Sequence, residues 1–152
     1  MKKAYITGAT GAIGMALVGE LLKNGISTTV FLRKGSGRND RVKDSFSGEL
    51  ASGLLRIEYV SLEELSGYAL SRNTQDMQTY ASQDLLTKAA GGADAAVFYH
   101  LGWSGTFGTQ RNDADMQQKN VEYTLDAVRL AKRLGCVHFI GVGSQAEYGR
   151  FE

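Results

Sequence analysis

Apolar residues follow two different spacings along the chain, and the two alternate. Compact runs of branched and aromatic side chains predict five strands, at residues 4–7, 27–32, 54–60, 95–99 and 136–140. Apolar residues at helical spacing predict two helices, over 13–22 and 116–134, and a glycine follows each of them closely. The remaining segments are predicted as a helical turn, a further helix and two polar loops, at residues 62–65, 83–90, 33–40 and 71–78.

Strands that alternate with helices imply right-handed crossovers and a parallel sheet. The predicted fold class is therefore α/β, a doubly wound Rossmann domain with strand order 3-2-1-4-5. The order reverses between strands 1 and 4, and a ligand is expected in the crevice at their carboxyl ends. At 152 residues the chain fits one such domain, spanning 1–152.

Composition and charge exclude several classes of protein. The 17 Lys and Arg residues against 16 Asp and Glu leave a net charge of +1, without the basic excess that nucleic-acid binding requires. No window approaches the ~18 consecutive apolar residues of a membrane span, and the glycine-rich start lacks a signal-peptide cleavage pattern. We therefore expect a cytoplasmic protein with no nucleic-acid partner, no membrane contact and no metal site. Cys136, the single cysteine, is expected to be a buried structural thiol.

The stretch TGATGAIG places three glycines where the first strand turns into the first helix. Gly8 permits the tight turn, Gly11 lets backbone approach a pyrophosphate, and Gly14 allows the helix to pack closely on the strand. The helix amino terminus then offers free N–H groups and a partial positive charge to the phosphates. This context favours a nucleotide site over a bare turn. The predicted cofactor contacts are Gly8, Thr10, Gly11, Ala12, Ile13 and Gly14.

The end of the second strand bears on the choice between NAD and NADP. An NAD-selective fold places Asp or Glu about 20 residues past the glycines, where it binds the ribose 2′-hydroxyl. Here Arg33 stands nineteen positions after Gly14. Together with Lys34, Ser36 and Arg38 it offers donors that suit a 2′-phosphate, so NADP is favoured over NAD. The alternative is a loop whose charges are simply solvated.

Four stretches resemble one known family. The GxxGxxG spacing at residues 8–14 is similar to the cofactor loop of the short-chain dehydrogenase/reductase superfamily. The later VFYHLGWSG, QQKNVEYTLDAV and FIGVGSQAEYG resemble the extended branch of that superfamily, the NAD(P)-dependent epimerase/dehydratase family. One departure concerns the adenine end, because the family commonly has an acidic residue after strand three and this chain has Ser61 there.

The resemblance gives further residues a role. It implies that His100, with Leu101 and Gly102, runs beside the cofactor, and His100 is expected to be structural or cofactor-lining rather than catalytic. Asn120 lies in the apolar stripe of its helix and is expected to bond backbone near strands four and five. Trp103 is either a ligand contact in a glycine-rich loop or a core anchor, and Asp113 fits a helix N-cap.

The resemblance also locates a catalytic serine. Ser144 in GSQAEYG matches the family serine that hydrogen-bonds the reacting substrate oxygen, although a turn serine is the alternative. Tyr148 is not expected to be the catalytic tyrosine, because Glu152 stands where the pKa-lowering lysine of Tyr-x-x-x-Lys belongs. The resemblance implies a catalytic tyrosine roughly two dozen residues after the serine. We therefore expect this chain to be truncated after the fifth strand, with the sixth strand and the substrate lobe beyond Glu152.

The family implies a function for the parent protein. That function is hydride transfer between nicotinamide and a hydroxyl or carbonyl substrate, by an epimerase, dehydratase or reductase that prefers NADP and acts on a small molecule such as a nucleotide sugar. The 152-residue chain alone is expected to be inactive. A parent homodimer is implied through the helix that contains Asn120. The alternative is a non-catalytic NADP-binding sensor or scaffold of the same fold.

Overall fold

The computed structural model describes residues 1–71 and 95–143, except for the side chains of 69–71. The predicted helix over 83–90 and nearly all of the predicted loop over 71–78 lie outside the described residues. Ser144 and Tyr148 also lie outside them.

Strands and helices alternate along the described chain, as predicted. The strands are β1 (Lys3–Thr7), β2 (Ser27–Leu32), β3 (Leu55–Tyr59), β4 (Ala96–His100) and β5 (His138–Gly141). The helices are α1 (Ala12–Lys23), α2 (Asn39–Ser45), α3 (Ser47–Ala51), α4 (Leu65–Ser71) and α5 (Ala114–Arg133). Two short 3-10 turns precede α4 and α5, at Leu62–Glu64 and Gly108–Asn112.

The five strands form one parallel sheet with the order β3-β2-β1-β4-β5. This confirms the predicted order and the predicted α/β class. The register pairs Thr7, the last residue of β1, with Phe31 of β2 on one side and with His100 of β4 on the other. The carboxyl ends of the central strands therefore lie at one edge of the sheet, on both sides of the point where the order reverses.

Helices cover both faces of the sheet. Alternate residues of β1 and β2, such as Ile6 and Val30, form one apolar cluster with Val18 of α1 and Val42 of α2. On the opposite face, Phe31 and Phe98 pack with three residues of α5 and one of α4, which are Ala127, Leu130, Ala131 and Leu65. The strand period of two divides these side chains between two layers, which is the doubly wound arrangement. No helix among the described residues is long and apolar enough to cross a membrane.

The structure corrects three details of the sequence prediction. The loop predicted over 33–40 ends earlier, because α2 begins at Asn39. Strand β5 is not a buried strand: Phe139 is half-buried while His138, Ile140 and Gly141 are exposed. It pairs only with β4 among the described strands, so it is an edge strand there. Cys136 is half-buried against the α5-side cluster rather than fully buried, because it stands in the turn before that edge strand.

Candidate nucleotide-binding site

A cavity of about 1050 Å³ lies at the carboxyl edge of the sheet. Four loops line it, one after each of the strands β1 to β4, together with one face of α5. From the predicted cofactor contacts, the lining includes Gly8, Thr10, Gly11, Arg33, Ser36, Arg38, Leu101 and Gly102. The topology therefore brings together residues that are more than 90 positions apart in the chain.

The glycine loop after β1 is shaped as the sequence predicts. Gly8 has φ +75°, and a Cβ there would lie 2.6 Å from the carbonyl carbon of Leu101, so only glycine fits between the two loops. A Cβ on Gly14 would overlap the carbonyl oxygen of Gly8, which confirms the close packing of α1 on the turn. At Gly11, by contrast, a Cβ would meet nothing closer than 3.5 Å. A side chain would therefore fit at Gly11, which lines the cavity.

The amino terminus of α1 has an electrostatic potential that favours an anion. Gly11 is the N-cap and supplies no side-chain cap, and the first turn of α1 contains no acidic residue. The free N–H groups of the first turn and the helix dipole therefore carry a partial positive charge that neither the cap residue nor the first turn offsets. A pyrophosphate at Gly11 would meet this charge, so the residues present fit a dinucleotide cofactor. Ala12 and Ile13 begin the helix, are exposed and do not line the cavity.

The loop after β2 presents two cations to the same cavity. Asn39 is 5% exposed, and its Nδ2 donates to the Arg33 carbonyl at 2.9 Å while its backbone N–H donates to the Ser36 carbonyl at 3.0 Å. These bonds close the loop on itself and hold Arg33 and Arg38 on the cavity wall. Neither guanidinium forms a salt bridge within residues 1–71 and 95–143. Lys34 is exposed and does not line the cavity.

The segment after β3 contains an acidic residue that sequence reasoning missed. Ser61 is engaged in capping, since its backbone N–H and its hydroxyl both donate to Glu64, at 2.8 and 3.0 Å. These bonds lower the pKa of the Glu64 carboxyl. Glu63 instead lines the cavity. The pKa of the Tyr123 phenol on α5 is raised by burial and by the nearby charge of Glu63. An acidic side chain therefore reaches the cavity two positions after Ser61, near Tyr123 of α5.

His100 lies beneath the loop that follows β4, and its contacts define its tautomer. The Thr124 hydroxyl donates its only hydrogen to the Asn120 carbonyl at 2.9 Å, so it must accept from His100 Nε2 at 3.3 Å. His100 Nδ1 then accepts from the Thr7 hydroxyl at 2.8 Å. The oxygen of that hydroxyl accepts the Gly102 N–H at 3.2 Å. The imidazole is 4% exposed, and burial lowers its pKa to about 4, so it is neutral near pH 7.

This network gives His100 a structural part, because it ties β1, α5 and the cavity loop together. His100 does not itself line the cavity. A direct contact between His100 and the cofactor stays a prediction, whereas its neighbours Leu101 and Gly102 reach the cavity. A Cβ on Gly102 would lie 2.9 Å from Leu62 Cδ2 and 3.2 Å from Thr7 Oγ1, so a side chain here would require the Leu62 side chain to shift.

Asn120 fixes the loop after β4 to α5. It is 1% exposed; its Oδ1 accepts the Ser104 N–H at 2.9 Å and its Nδ2 donates to the Ser104 carbonyl at 2.8 Å. This pair of backbone bonds confirms the structural role expected for Asn120. Asp113 caps α5 as predicted, because its carboxylate accepts the Met116 N–H at 3.1 Å. The described residues contain no cluster of His, Cys, Asp or Glu that could hold a metal ion.

The parallel sheet, the glycine turn and the cavity at the strand ends define a Rossmann protein built to hold a nucleotide. The match to one family is more specific. Residues 4–152 match the sequence model of the NAD dependent epimerase/dehydratase family, and the chain belongs to that family. A comparison with curated proteins found no match.

Several solved structures share the fold. A UDP-galactose 4-epimerase superposes with a TM-score of 0.63 at 18% identity, over 97% of this chain and 39% of the other. A short-chain dehydrogenase/reductase superfamily protein from Agrobacterium tumefaciens with bound NAD gives 0.56 at 19% identity, over 97% and 34%. Yeast methylglyoxal/isovaleraldehyde reductase complexed with NADPH gives 0.58 at 12% identity, over 95% and 37%. The chain spans roughly two fifths of the length of these structures.

Proposed function

We propose that this chain is the cofactor-binding part of an oxidoreductase that uses a nicotinamide dinucleotide on a hydroxyl or carbonyl substrate. The observation that carries the proposal is the uncapped amino terminus of α1 at Gly11, which opens into a cavity large enough for a dinucleotide. Family membership supports the same assignment. When bound, the nicotinamide supplies the hydride donor or acceptor, and the protein supplies binding and orientation.

NADP is proposed as the preferred cofactor. Arg33 and Arg38 line the cavity together with Ser36, and these side chains offer charged and neutral donors to a 2′-phosphate. An NAD-selective site would instead present a carboxylate at the position of Arg33. The bonds from Asn39 to the loop backbone support this role, because they limit the freedom that the loop loses when it binds a phosphate.

Cofactor affinities test the assignment. We expect the protein to bind NADP at least about tenfold more tightly than NAD, since a phosphate paired with arginine contributes more than 1.4 kcal/mol. Arg33→Asp should reverse the preference, and Arg56→Asp is the matched control because Arg56 is exposed on β3 and does not line the cavity. Equal affinities for the two cofactors, measured by isothermal titration calorimetry, would refute the preference while leaving nucleotide binding intact.

The substrate is proposed to be a nucleotide-linked sugar. Support comes from the family and from the UDP-galactose 4-epimerase that shares the fold. Ser144, three residues after the end of β5 at Gly141, is proposed to donate a hydrogen bond to the reacting oxygen. That contact would orient the oxygen and favour the state in which it carries more negative charge.

A homodimer through α5 is part of the proposal. Three apolar residues form a stripe on the exposed face of this helix, at positions spaced by four and three, and each is 42–50% exposed: Val121, Leu125 and Val128. Leu125→Glu should shift the protein to a monomer in light scattering. A monomeric wild type, or an unchanged dimer in the variant, would contradict this interface.

A further inference from the structure

Beyond Gly102, the residues that line the cavity are not among the predicted cofactor contacts. They belong to the loop after β4 and to the first turns of α5. They include two exposed aromatic side chains and one cation, Trp103, Phe107 and Lys119. An aromatic face and a cation in one cavity are a combination that suits a ring attached to a phosphate.

Trp103 is held in place although its ring is exposed. The indole Nε1–H donates to Gln117 Oε1 at 2.8 Å. Gln117 is itself fixed, because its Nε2 donates to the Gln110 carbonyl at 3.1 Å and its Oε1 also accepts from Asn120 Nδ2 at 3.2 Å. The polar edge of the indole is therefore satisfied within the protein, while a large part of the side chain stays exposed for contact with a ligand.

Packing among the described residues does not account for the position of Trp103. The side chain is 43% exposed and belongs to neither apolar cluster of the domain. A tryptophan that served as a core anchor would bury its ring, since apolar burial is what such a residue contributes to stability. A tryptophan held at its polar edge and open to a cavity instead resembles a preorganised binding surface, in which the order is established before the ligand arrives. Between the two roles that the sequence leaves open, the structure thus favours ligand contact.

Lys119 adds a positive charge to the cavity wall, which suits a ligand that carries a phosphate as well as a ring. It precedes Asn120 on α5, is exposed, and forms no salt bridge with any residue of the described ranges. Lys119 lines the same cavity as Trp103. An unpaired cation at a cavity wall attracts an anionic ligand and is strongest where the wall partly excludes water.

We infer that Trp103 and Lys119 recognise the nucleotide-linked sugar itself. The indole face packs against a ring of this substrate, Lys119 pairs with an oxygen of its diphosphate, and Gln117 acts as a positioning residue that fixes the indole. This assignment rests on the proposed function, because it takes the nucleotide sugar as the substrate class. It goes further by naming the side chains that bind that substrate, separately from those that bind the cofactor.

Intrinsic fluorescence gives a direct test, because Trp103 is the only tryptophan of the chain. The protein is saturated with NADP and then titrated with UDP-glucose, dTDP-glucose, CDP-glucose and GDP-mannose in turn, while calorimetry measures the same binding independently. We expect at least one of them to change the emission saturably, with the same Kd in both measurements. NADP binding is recorded first, so that a failure of the cofactor site is separated from a failure of the substrate site.

Variants assign the contacts. Trp103→Leu should weaken binding of that nucleotide sugar about tenfold, as expected for the loss of an aromatic contact surface. Lys119→Gln should weaken it about fivefold and reduce its dependence on salt. Lys132→Gln, an exposed lysine on the same helix outside the cavity, is the control and should bind normally. Gln117→Leu should weaken binding while Gln117→Glu, which keeps the acceptor for the indole, should retain more of it. In all five variants NADP affinity should be unchanged.

The outcomes separate the two proposals. If a nucleotide sugar binds by calorimetry while Trp103 emission stays constant and Trp103→Leu binds normally, the inference is wrong and the proposed function stands. If NADP binds but none of the four sugars does, the inference is wrong, because it places the side chains that bind the sugar within this chain, whereas the cofactor assignment stands. A loss of NADP affinity in Trp103→Leu equal to the loss of sugar affinity would assign this surface to the cofactor instead, and would also overturn the inference.

Discussion

Acidification should destabilise this domain through one buried histidine. His100 is 4% exposed and neutral, with each ring nitrogen bonded to a threonine hydroxyl, and burial lowers its pKa from 6.5 to about 4. In the unfolded chain the imidazole has its ordinary pKa. Between the two values, the unfolded state therefore binds a proton that the folded state does not. The stability that the neutral imidazole contributes is present above pH 6.5 and is lost as the pH falls towards 4.

The magnitude follows from the two pKa values. Near pH 7 both states are almost fully deprotonated, so the contribution of His100 to the pH dependence is small. At pH 5 the unfolded imidazole is largely protonated and the folded one is largely neutral, which lowers the free energy of unfolding by about 2 kcal/mol relative to pH 7. Below the folded pKa both states are protonated, and the loss from His100 levels off.

Urea unfolding from pH 7 to pH 5 measures this effect, and the second histidine supplies a matched control. His138 is exposed on β5, so His138→Gln should keep the wild-type slope of stability against pH. His100→Gln should be less stable at pH 7, but its stability should fall by about 2 kcal/mol less than that of the wild type on going to pH 5. An NMR titration of the two imidazoles gives the pKa values directly. Parallel pH slopes in His100→Gln and wild type, or a His100 that titrates near 6.5, would refute the reasoning.

Three further substitutions test the geometry around the cavity. Gly8→Ala places a Cβ 2.6 Å from Leu101 at a positive φ, so it should cost at least about 2 kcal/mol of stability in urea unfolding; a near-neutral change would contradict the close contact. Asn120→Ala removes both bonds to Ser104 and should cost about 3 kcal/mol, with faster amide hydrogen exchange at Ser104. Asp113→Ala should cost about 1 kcal/mol through loss of the α5 cap, whereas Asp115→Ala should cost less. Equal effects of the two aspartates would argue against a specific cap.

The fold could be predicted from sequence because its signals are local and strong. Each strand follows from a β-prone run, helix α5 from the apolar stripe over 116–134, and the first turn from the glycines at 8–14. The preference for right-handed crossovers then arranges these elements into a parallel sheet. Helices α2 and α3 were missed because they are short, polar segments that bury few side chains, Val42 among them. Their existence depends on packing against the sheet rather than on local propensity.

Part of the candidate site could also be predicted from the sequence, because its signals are local. The glycines and Arg33 lie directly after their strands, so their position at the carboxyl edge follows from topology. The hydrogen bonds of His100 to Thr7 and Thr124 join three separate elements, and no periodicity predicts such a network. Glu63 was not predicted to line the cavity, because the family pattern places its acidic residue at the position of Ser61. Trp103 stayed ambiguous, since a sequence does not show whether an indole ring faces a core or a cavity.

The central claim is that the amino terminus of α1 at Gly11 binds the pyrophosphate of a nicotinamide dinucleotide. Calorimetric titration of NADP into wild type and Gly11→Asp tests it most directly, because Gly11 has room for a side chain and the carboxylate would oppose the phosphates. Gly48→Asp, at an exposed glycine of α3 with nothing within 4 Å, controls for the added charge. Wild type and Gly48→Asp should bind NADP equally, and Gly11→Asp should bind at least about tenfold more weakly. A wild-type protein that binds neither NADP nor NAD, or a Gly11→Asp variant with unchanged affinity, would contradict the account.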